Sequence, residues 1–176
     1  MASVLPSALN DLIESLSDLP GVGHKTAERY AYYLLKQDPH TAQKISAKMV
    51  SLHKDIAICP KTFALIDAKD SVSKLYSDTM RDKQLVAVVA EPFDIIALEA
   101  TNSFKGTYHV LGGLLSPLDN VGPEQLHISE LINRIKEDKV KEIILATNAS
   151  VEGETTAMYI QQQITDTDCK LTRLAR

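Results

Sequence analysis

The 176-residue chain has no tryptophan, only two cysteines and only 5% aromatic residues. A scarcity of aromatic side chains disfavours a protein that grips single-stranded nucleic acid by stacking its bases, so any contact with DNA is expected at the backbone. Cys59 and Cys169 lie far apart in the sequence. Without an export signal, a structural disulfide between them is not expected.

Long apolar runs and a strong positive charge are missing as well. No run approaches the roughly 18 apolar residues that span a bilayer, and the amino-terminal residues lack the basic and apolar stretches of a secretory signal. These absences predict a cytoplasmic protein without a membrane partner. The formal charge of -4 disfavours bulk electrostatic coating of nucleic acid, so any phosphate contact must come from a local patch.

The first fifty-odd residues carry three apolar stripes at helical spacing. The first runs from Ser7 to residue 18 and is ended by Pro20. The second lies in the tract GVGHKTAERYAYYLLK, before Asp38-Pro39, and the third runs from Ala42 to Ile56. The sequence therefore predicts an all-helical amino-terminal module over residues 1–56.

A glycine-rich turn joins the first two predicted helices. Its glycines permit positive φ angles, and its backbone N–H groups would point outward at the start of a helix, where an anion is favoured. Lys25 and Arg29 project from the same side of that helix. The predicted phosphate-binding residues are Gly21, Val22, Gly23, His24, Lys25 and Arg29. The alternative is a plain turn beside solvated cations that Glu28 partly neutralises.

Beyond residue 82, short apolar runs alternate with helical stretches. Strands are predicted at 85–90, 108–112, 142–147 and 169–175, and helices near 92–100, 129–138 and 153–164. This alternation predicts an α/β fold with a parallel sheet covered on both faces. Residues 57–82 show no sustained period and are interpreted as a connector. The last strand ends at once at Arg176, which suggests a truncated carboxyl end.

The segment EIILATNASVEGETTA resembles the Toprim fold of topoisomerases and primases. Glu152, Gly153 and Glu154 match that pattern, and Glu91 matches the glutamate that the family places after its first strand. Asn148 and Ser150 stand where the pattern has two aspartates. Because magnesium needs anionic ligands, this substitution disfavours metal-dependent catalysis. The three glutamates Glu91, Glu152 and Glu154 are interpreted instead as an acidic patch with a partner-binding or stabilising role.

A helix-hairpin-helix followed by a neutralised Toprim domain resembles the RecR family over nearly the whole chain. The segments LPGVGHKTAERYA, EPFDIIALEAT and YHVLGGLLSPLDNVGPEQL carry this resemblance. It implies a non-enzymatic recombination mediator that binds gapped or single-stranded DNA in the bacterial cytoplasm, associated with the nucleoid. It further implies loading of RecA with RecO and perhaps RecF as partners, and a ring-like, tetrameric homo-oligomer. The expected domains are 1–56, 57–82 and 83–176.

RecR proteins usually carry a four-cysteine zinc module, and this sequence departs from it. The four ligand positions correspond to Cys59, Thr62, Ser73 and Tyr76. One thiolate with those neighbours cannot hold zinc tetrahedrally, so no metal and no other cofactor is expected. Apolar packing is expected to stabilise the connector instead, through Phe63, Leu65, Ile66, Val72, Leu75 and Tyr76.

Two other functions stay open at this point. The first is an active Toprim nuclease or topoisomerase-like enzyme that uses Glu91, Glu152 and Glu154 with magnesium. No nucleophile is evident for it, since Tyr108 and Tyr159 have no neighbouring base in the pattern and are interpreted as packing residues. The second is a protein-interaction module whose hairpin does not bind DNA.

Overall fold

A computed structural model describes residues 4–165 and 167–174. The chain divides into two compact units, a helical unit up to His53 and an α/β unit from Lys54 onward. Within the described residues, no helix is both long enough and apolar enough to span a bilayer.

Three helices form the helical unit: α1 (Ser7–Ser17), α2 (His24–Lys36) and α3 (Pro39–Asp55). Helix α3 begins three residues before Ala42, the first residue of the apolar stripe from which it was predicted. Pro39 is its first residue, a position where a missing N–H costs nothing. The carboxylate of Asp38 accepts the backbone N–H of His40 at 2.8 Å, so the dipeptide that ends α2 also starts α3.

The core of the helical unit is small. It consists of buried Ile13, Ala27 and Ala31, with Leu9, Leu16 and Val22 packed around them. No residue of α3 is buried. Its apolar stripe remains open, since Ile45 is 45% exposed and Met49 is 59% exposed. The apolar face of α3 is therefore largely exposed to solvent.

A short β-hairpin and a helical turn occupy the stretch that the sequence assigned to a connector. Strands β1 (Ile56–Ile58) and β2 (Leu65–Asp67) pair antiparallel, and α4 spans Lys74–Ser77. Strands of three residues are too short to display a period, so no strand could be predicted here from the sequence. The hairpin belongs to the same compact unit as the sheet that follows it.

The main sheet has four parallel strands. They are β3 (Asp82–Val89), β4 (Gly106–Val110), β5 (Glu142–Leu145) and β6 (Lys170–Arg173), in the order β4-β3-β5-β6. This confirms the predicted α/β fold with a parallel sheet. The last residue of the strand predicted at 169–175 lies outside the described residues.

Helices α5 (Asp94–Ala100), α6 (Ile128–Glu137) and α7 (Val151–Gln163) complete the α/β unit. Successive residues of a strand point to opposite faces of the sheet and belong to two separate hydrophobic cores, as expected of a sheet covered on both faces. The larger core combines the sheet with α6 and α7. The smaller one combines it with α5 and includes Ala64, with Phe63 and Leu75 packed against it. Leu65, expected to pack here, is 45% exposed.

Candidate nucleic-acid interface

The turn between α1 and α2 has the open backbone that the sequence predicted. Gly21 has a φ of +79°, a conformation that glycine adopts without strain. A Cβ placed on Gly21 or on Gly23 would meet nothing within 4 Å. The N–H of Val22 donates to the carbonyl of Leu19 at 3.0 Å and closes the turn. The outer side of the turn is therefore accessible to a ligand.

Three successive N–H groups at this turn, those of Gly23, His24 and Lys25, have no acceptor among the described residues. The next two, of Thr26 and Ala27, donate to the carbonyl of Gly23 at 2.8 and 3.0 Å. The unpaired N–H groups and the positive end of the helix dipole together favour an anion. A phosphate matches this geometry and charge.

The cations predicted at this site are on the surface. The side chain of Lys25 is 90% exposed, and Arg29, four residues along α2, is exposed as well. Glu28 lies 3.2 Å from the Lys25 ammonium and 3.3 Å from His24 Nε2. Such exposed pairs contribute little free energy, so an incoming phosphate can compete with Glu28 for both partners.

The sequence interpretation missed an aromatic group on the same helix. Tyr30, Tyr32 and Tyr33 are 50%, 54% and 57% exposed, although tyrosine is usually half-buried or more. The Lys36 ammonium lies 4.5 Å from the centroid of the Tyr32 ring. The signal was present as the tetrapeptide YAYY, but the low average aromatic content concealed that three of the six tyrosines fall within four residues.

The three glutamates of the Toprim-like pattern lie beyond the carboxyl ends of β3 and β5. Glu91 is exposed, and its backbone N–H donates to the Asp94 carboxylate at 2.8 Å. Glu152 and Glu154 are in the first turn of α7. Glu154 forms an ion pair of 2.5 Å with Arg173. The pKa of Glu152 is lower than its ordinary value because the Glu152 carboxylate accepts hydrogen bonds from the Glu152 backbone N–H and from the Ser150 hydroxyl.

Ser150 and Asn148, which replace the two aspartates of the pattern, shape the start of α7. Ser150 is the N-cap, and its hydroxyl accepts the N–H of Gly153 at 3.1 Å. A Cβ on Gly153 would come within 2.0 Å of the Asn148 carbonyl oxygen, so only glycine fits there. The glycine of this motif thus serves backbone packing, independently of any metal.

Carboxylates, thiols and imidazoles are not gathered anywhere in the described residues in a group of three or more that could hold a metal ion. At the position that corresponds to the first zinc ligand of the family pattern, Cys59 is fully buried and its sulfur accepts the N–H of Ser73 at 3.2 Å. Burial raises the pKa of a thiol. Hydrogen bonds from the Thr62 side chain and from the backbone of Ser73, Lys61 and Thr62 outweigh it and lower the pKa of Cys59.

Tyr76, at the position that corresponds to the fourth zinc ligand of the family pattern, contacts residues of α6 and its carboxyl end. Its hydroxyl donates to the Asp138 carboxylate at 3.0 Å. Its ring lies 5.1 Å from the guanidinium of buried Arg134 and 4.4 Å from the Lys83 ammonium. Because Arg134 also donates to Asp138 at 2.9 Å, these contacts join the connector segment 57–82 to α6.

A buried histidine lies behind the hairpin loop. His109 on β4 is 0% exposed, and its Nε2 lies 2.8 Å from the carbonyl of His127. Its Nδ1 is buried without a partner among the described residues. Phe63 stacks on His127 with ring centroids 3.8 Å apart and meets His109 edge-on at 5.4 Å. Burial lowers the pKa of His109 to about 4.

Comparison with known proteins gives matches to both units. A family model described as "RecR, helix-hairpin-helix" matches residues 9–52, and a model described as "Toprim domain" matches residues 84–175. The Recombination protein RecR of Treponema denticola is 44% identical over 169 residues, which cover 96% of this chain and 86% of that one. The Recombination protein RecR of Moorella thermoacetica is 45% identical over 170 residues, covering 97% and 84%.

Among solved structures, nickel-bound FpvC of P. aeruginosa is 20% identical and covers 94% of this chain and 46% of that one. Its TM-score of 0.28 is too low to indicate a shared fold.

Proposed function

Because the chain belongs to the RecR family of recombination proteins, we propose that it is a DNA-binding scaffold in DNA repair and not an enzyme. The observation that carries this proposal is the open turn before α2. Its N–H groups at Gly23, His24 and Lys25 lack acceptors in the part of the chain that the structure describes, and Lys25 and Arg29 lie exposed beside them.

The binding mode follows from these groups. Backbone N–H groups, together with the His24, Lys25 and Arg29 side chains, recognise phosphate oxygens, which carry no base sequence. The Gly21, Val22 and Gly23 backbone allows the DNA strand a close approach. Binding is therefore independent of base sequence, and it weakens as salt rises because counterions are released from the DNA.

The finer role rests on the family. As a member of the RecR family, the protein would work with RecO, and with RecF, to load RecA onto gapped or single-stranded DNA that single-strand-binding protein covers. It would do so in the bacterial cytoplasm, at the nucleoid. The acidic residues Glu91, Glu152 and Glu154 offer a surface for a basic partner, and Glu154 is already paired with Arg173.

Self-association into a tetrameric ring is supported by an apolar groove of about 690 Å³ within the helical unit. Leucines of α1 and α2 line it together with Ile45 and Met49 of α3. Since Met49 is 59% exposed, Met49→Glu leaves the fold intact and lowers the solution mass measured by sedimentation. Met80→Glu, at a residue 86% exposed in the α/β unit, is the matched control and keeps the wild-type mass.

A charge-reversal experiment tests DNA binding. Lys25→Glu with Arg29→Glu should abolish the mobility shift of gapped DNA, because each change places an anion beside the phosphate site. Lys69→Glu with Lys136→Glu alters the net charge equally at two other exposed lysines and should leave the shift in place. Wild-type affinity in the first variant would refute the proposal and favour a protein-interaction module without DNA binding.

The non-enzymatic assignment is supported by the neutral side chains at Asn148 and Ser150, which supply no charge to hold magnesium. Incubation of supercoiled plasmid with the protein and magnesium should yield no nicked product. Nicking that disappears in a Glu152→Gln variant would instead establish a metal-dependent Toprim enzyme.

The chain is expected to bind no zinc, because the positions Cys59, Thr62, Ser73 and Tyr76 supply a single thiolate. Hydrogen bonds to the Cys59 sulfur and the Tyr76–Asp138 contact occupy these positions instead. Metal analysis of the purified protein tests this expectation, and about one zinc per molecule would overturn it.

A further inference from the structure

Two tyrosines lie between two cations along one face of α2, opposite the face that packs on α1. Arg29, Tyr32, Tyr33 and Lys36 follow the i, i+3, i+4, i+7 spacing that places side chains on a single side of a helix. The buried residues of this helix are Ala27 and Ala31, which point the other way. We call these four residues the stacking stripe.

The side chains of the stacking stripe are accessible to a large ligand. Together with Tyr30 they line one open depression of about 630 Å³. Tyr33 is 57% exposed and has no ring contact within residues 4–165 and 167–174. The Lys36 ammonium over the Tyr32 ring holds that ring in place along the helix. Such exposure of adjacent aromatic rings is not explained by packing within the helical unit.

The charge of the stripe specifies the chemistry of its ligand. Among the described residues, Arg29 and Lys36 have no acidic partner, in a chain whose formal charge is -4. Guanidinium and ammonium groups that flank planar rings match a polymer with anionic phosphates and planar bases. In double-stranded DNA the base faces are already stacked inside the helix, so only unpaired bases can meet the tyrosines.

The stripe also continues from the phosphate site at the turn. Thirteen residues of α2 rise about 20 Å along the helix axis, from the free N–H groups at its start to Lys36 at its end. A strand anchored by one phosphate at the turn can thus follow the helix while Arg29 and Lys36 contact later phosphates.

We propose that the stacking stripe binds single-stranded DNA by stacking unpaired bases on Tyr33 and Tyr32, with Arg29 and Lys36 on the flanking phosphates. This inference rests on the proposed DNA-binding function and adds to it a preference for strands with exposed bases. The turn before α2 binds phosphates of single-stranded or double-stranded DNA, and the stacking stripe binds the single strand at a gap.

Two strands of equal length and charge test the proposal, oligothymidine and an oligodeoxynucleotide made of abasic sites. Fluorescence anisotropy at low salt should show that the wild-type protein binds oligothymidine at least about tenfold more tightly, since stacking on one aromatic side chain has an effect of that order. Tyr32→Ala with Tyr33→Ala should bring the two affinities together, whereas Tyr32→Phe with Tyr33→Phe should keep the preference, because phenylalanine retains the stacking ring.

The same experiment separates the two proposals. Failure of the wild-type protein to bind either strand would refute the DNA-binding function itself. Equal binding of both strands would refute the stacking stripe and leave the phosphate site standing. A preference that survives in the double alanine variant would likewise overturn the inference.

Intrinsic fluorescence supplies a second readout. The chain has no tryptophan, so tyrosine emission is observed directly. Oligothymidine should quench it in the wild-type protein, and the abasic strand should not. Because both tyrosines are more than half exposed, the far-ultraviolet circular dichroism of the double alanine variant should match that of the wild type. Absence of quenching at saturating oligothymidine would contradict stacking.

Discussion

Arg29 lies exposed on α2 of the helical unit, whereas Arg134 on α6 of the α/β unit is 2% exposed. The buried guanidinium donates to the carbonyl of Tyr108, to the Thr107 hydroxyl and to the Asp138 carboxylate, at 2.6, 2.6 and 2.9 Å. The exposed one has no such partner among the described residues. One residue type is thus exposed in the first unit, where it is proposed to bind DNA, and supports the fold from inside in the second.

Histidine and tyrosine divide between the units in the same way. His40 and Tyr30 are exposed in the helical unit, while His109 is buried and Tyr76 is hydrogen-bonded in the α/β unit. Among its described residues, the helical unit buries Ile13, Ala27 and Ala31 in its core, and the residues proposed to bind DNA lie on its surface. The polar groups compared in the α/β unit therefore stabilise its fold, whereas those of the helical unit are exposed and available for the proposed contacts with DNA.

The largest expected contrast is between the two arginines. Arg134→Ala removes the charge partner of Asp138 and the donors to two β4 groups, which is expected to lower the free energy of unfolding by about 3–5 kcal/mol. Hydrogen exchange of the β4 amides and urea unfolding would measure it. Arg29→Ala should leave both unchanged while weakening DNA binding. An Arg134→Ala variant as stable as the wild type would contradict the supporting role of the buried arginine.

Replacing the buried His109 should change how the stability of the protein depends on pH, whereas replacing the exposed His40 should not. The pKa of His109 is lowered from 6.5 to about 4 in the folded protein, so the unfolded chain takes up this proton first as the pH falls. Stability from His109 is complete above pH 6.5 and is lost progressively down to about pH 4, on the order of 3 kcal/mol in total.

Urea unfolding at a series of pH values would test this expectation. His109→Gln, which keeps a donor for the His127 carbonyl, should make the loss of stability between pH 6.5 and 4 shallower than in the wild type. His40→Gln, at an exposed position, should retain the wild-type slope. Identical slopes in all three proteins would show that His109 is not shielded from protonation.

The smallest contrast concerns the two tyrosines. Tyr76→Phe keeps the ring beside Arg134 and removes only the hydroxyl that donates to Asp138, with an expected cost of about 1 kcal/mol. Tyr30→Phe alters a residue 50% exposed and should cost nothing measurable. Chemical denaturation of both variants checks this, and equal stability would show that the Tyr76–Asp138 bond does not help to hold the connector segment 57–82 against α6.

Sequence patterns predicted two kinds of element: helices whose apolar residues recur over several turns, and strands whose residues are apolar because both faces of the sheet are buried. The three amino-terminal helices and the four parallel strands were found within a few residues of their expected bounds. The hairpin of β1 and β2 was missed because three-residue strands have no period, and its core residues lie far from the sheet in sequence. Phe63, with a φ of +58°, meets His127 only in the folded chain.

The candidate site was only partly predictable for the same reason. Gly21, Gly23, Lys25 and Arg29 could be identified locally, since a turn and the start of a helix depend on neighbouring residues. The exposure of Tyr32 and Tyr33 could not, because an aromatic residue on a helix packs inward or faces solvent according to where its partner helix lies.

By itself the sequence determined that a glycine turn starts α2 beside two cations, and that neutral Asn148 and Ser150 replace two acids of the Toprim pattern. These properties are covalent and local. Only the tertiary structure decided that Ser150 caps α7, that Tyr76 meets Asp138 and Arg134, and that α3 has no buried residue. The cap of α7 joins Ser150 to Gly153 only three residues away, whereas the contacts of Tyr76 join segments about sixty residues apart. All three features depend on burial and hydrogen bonding, which are properties of the folded chain.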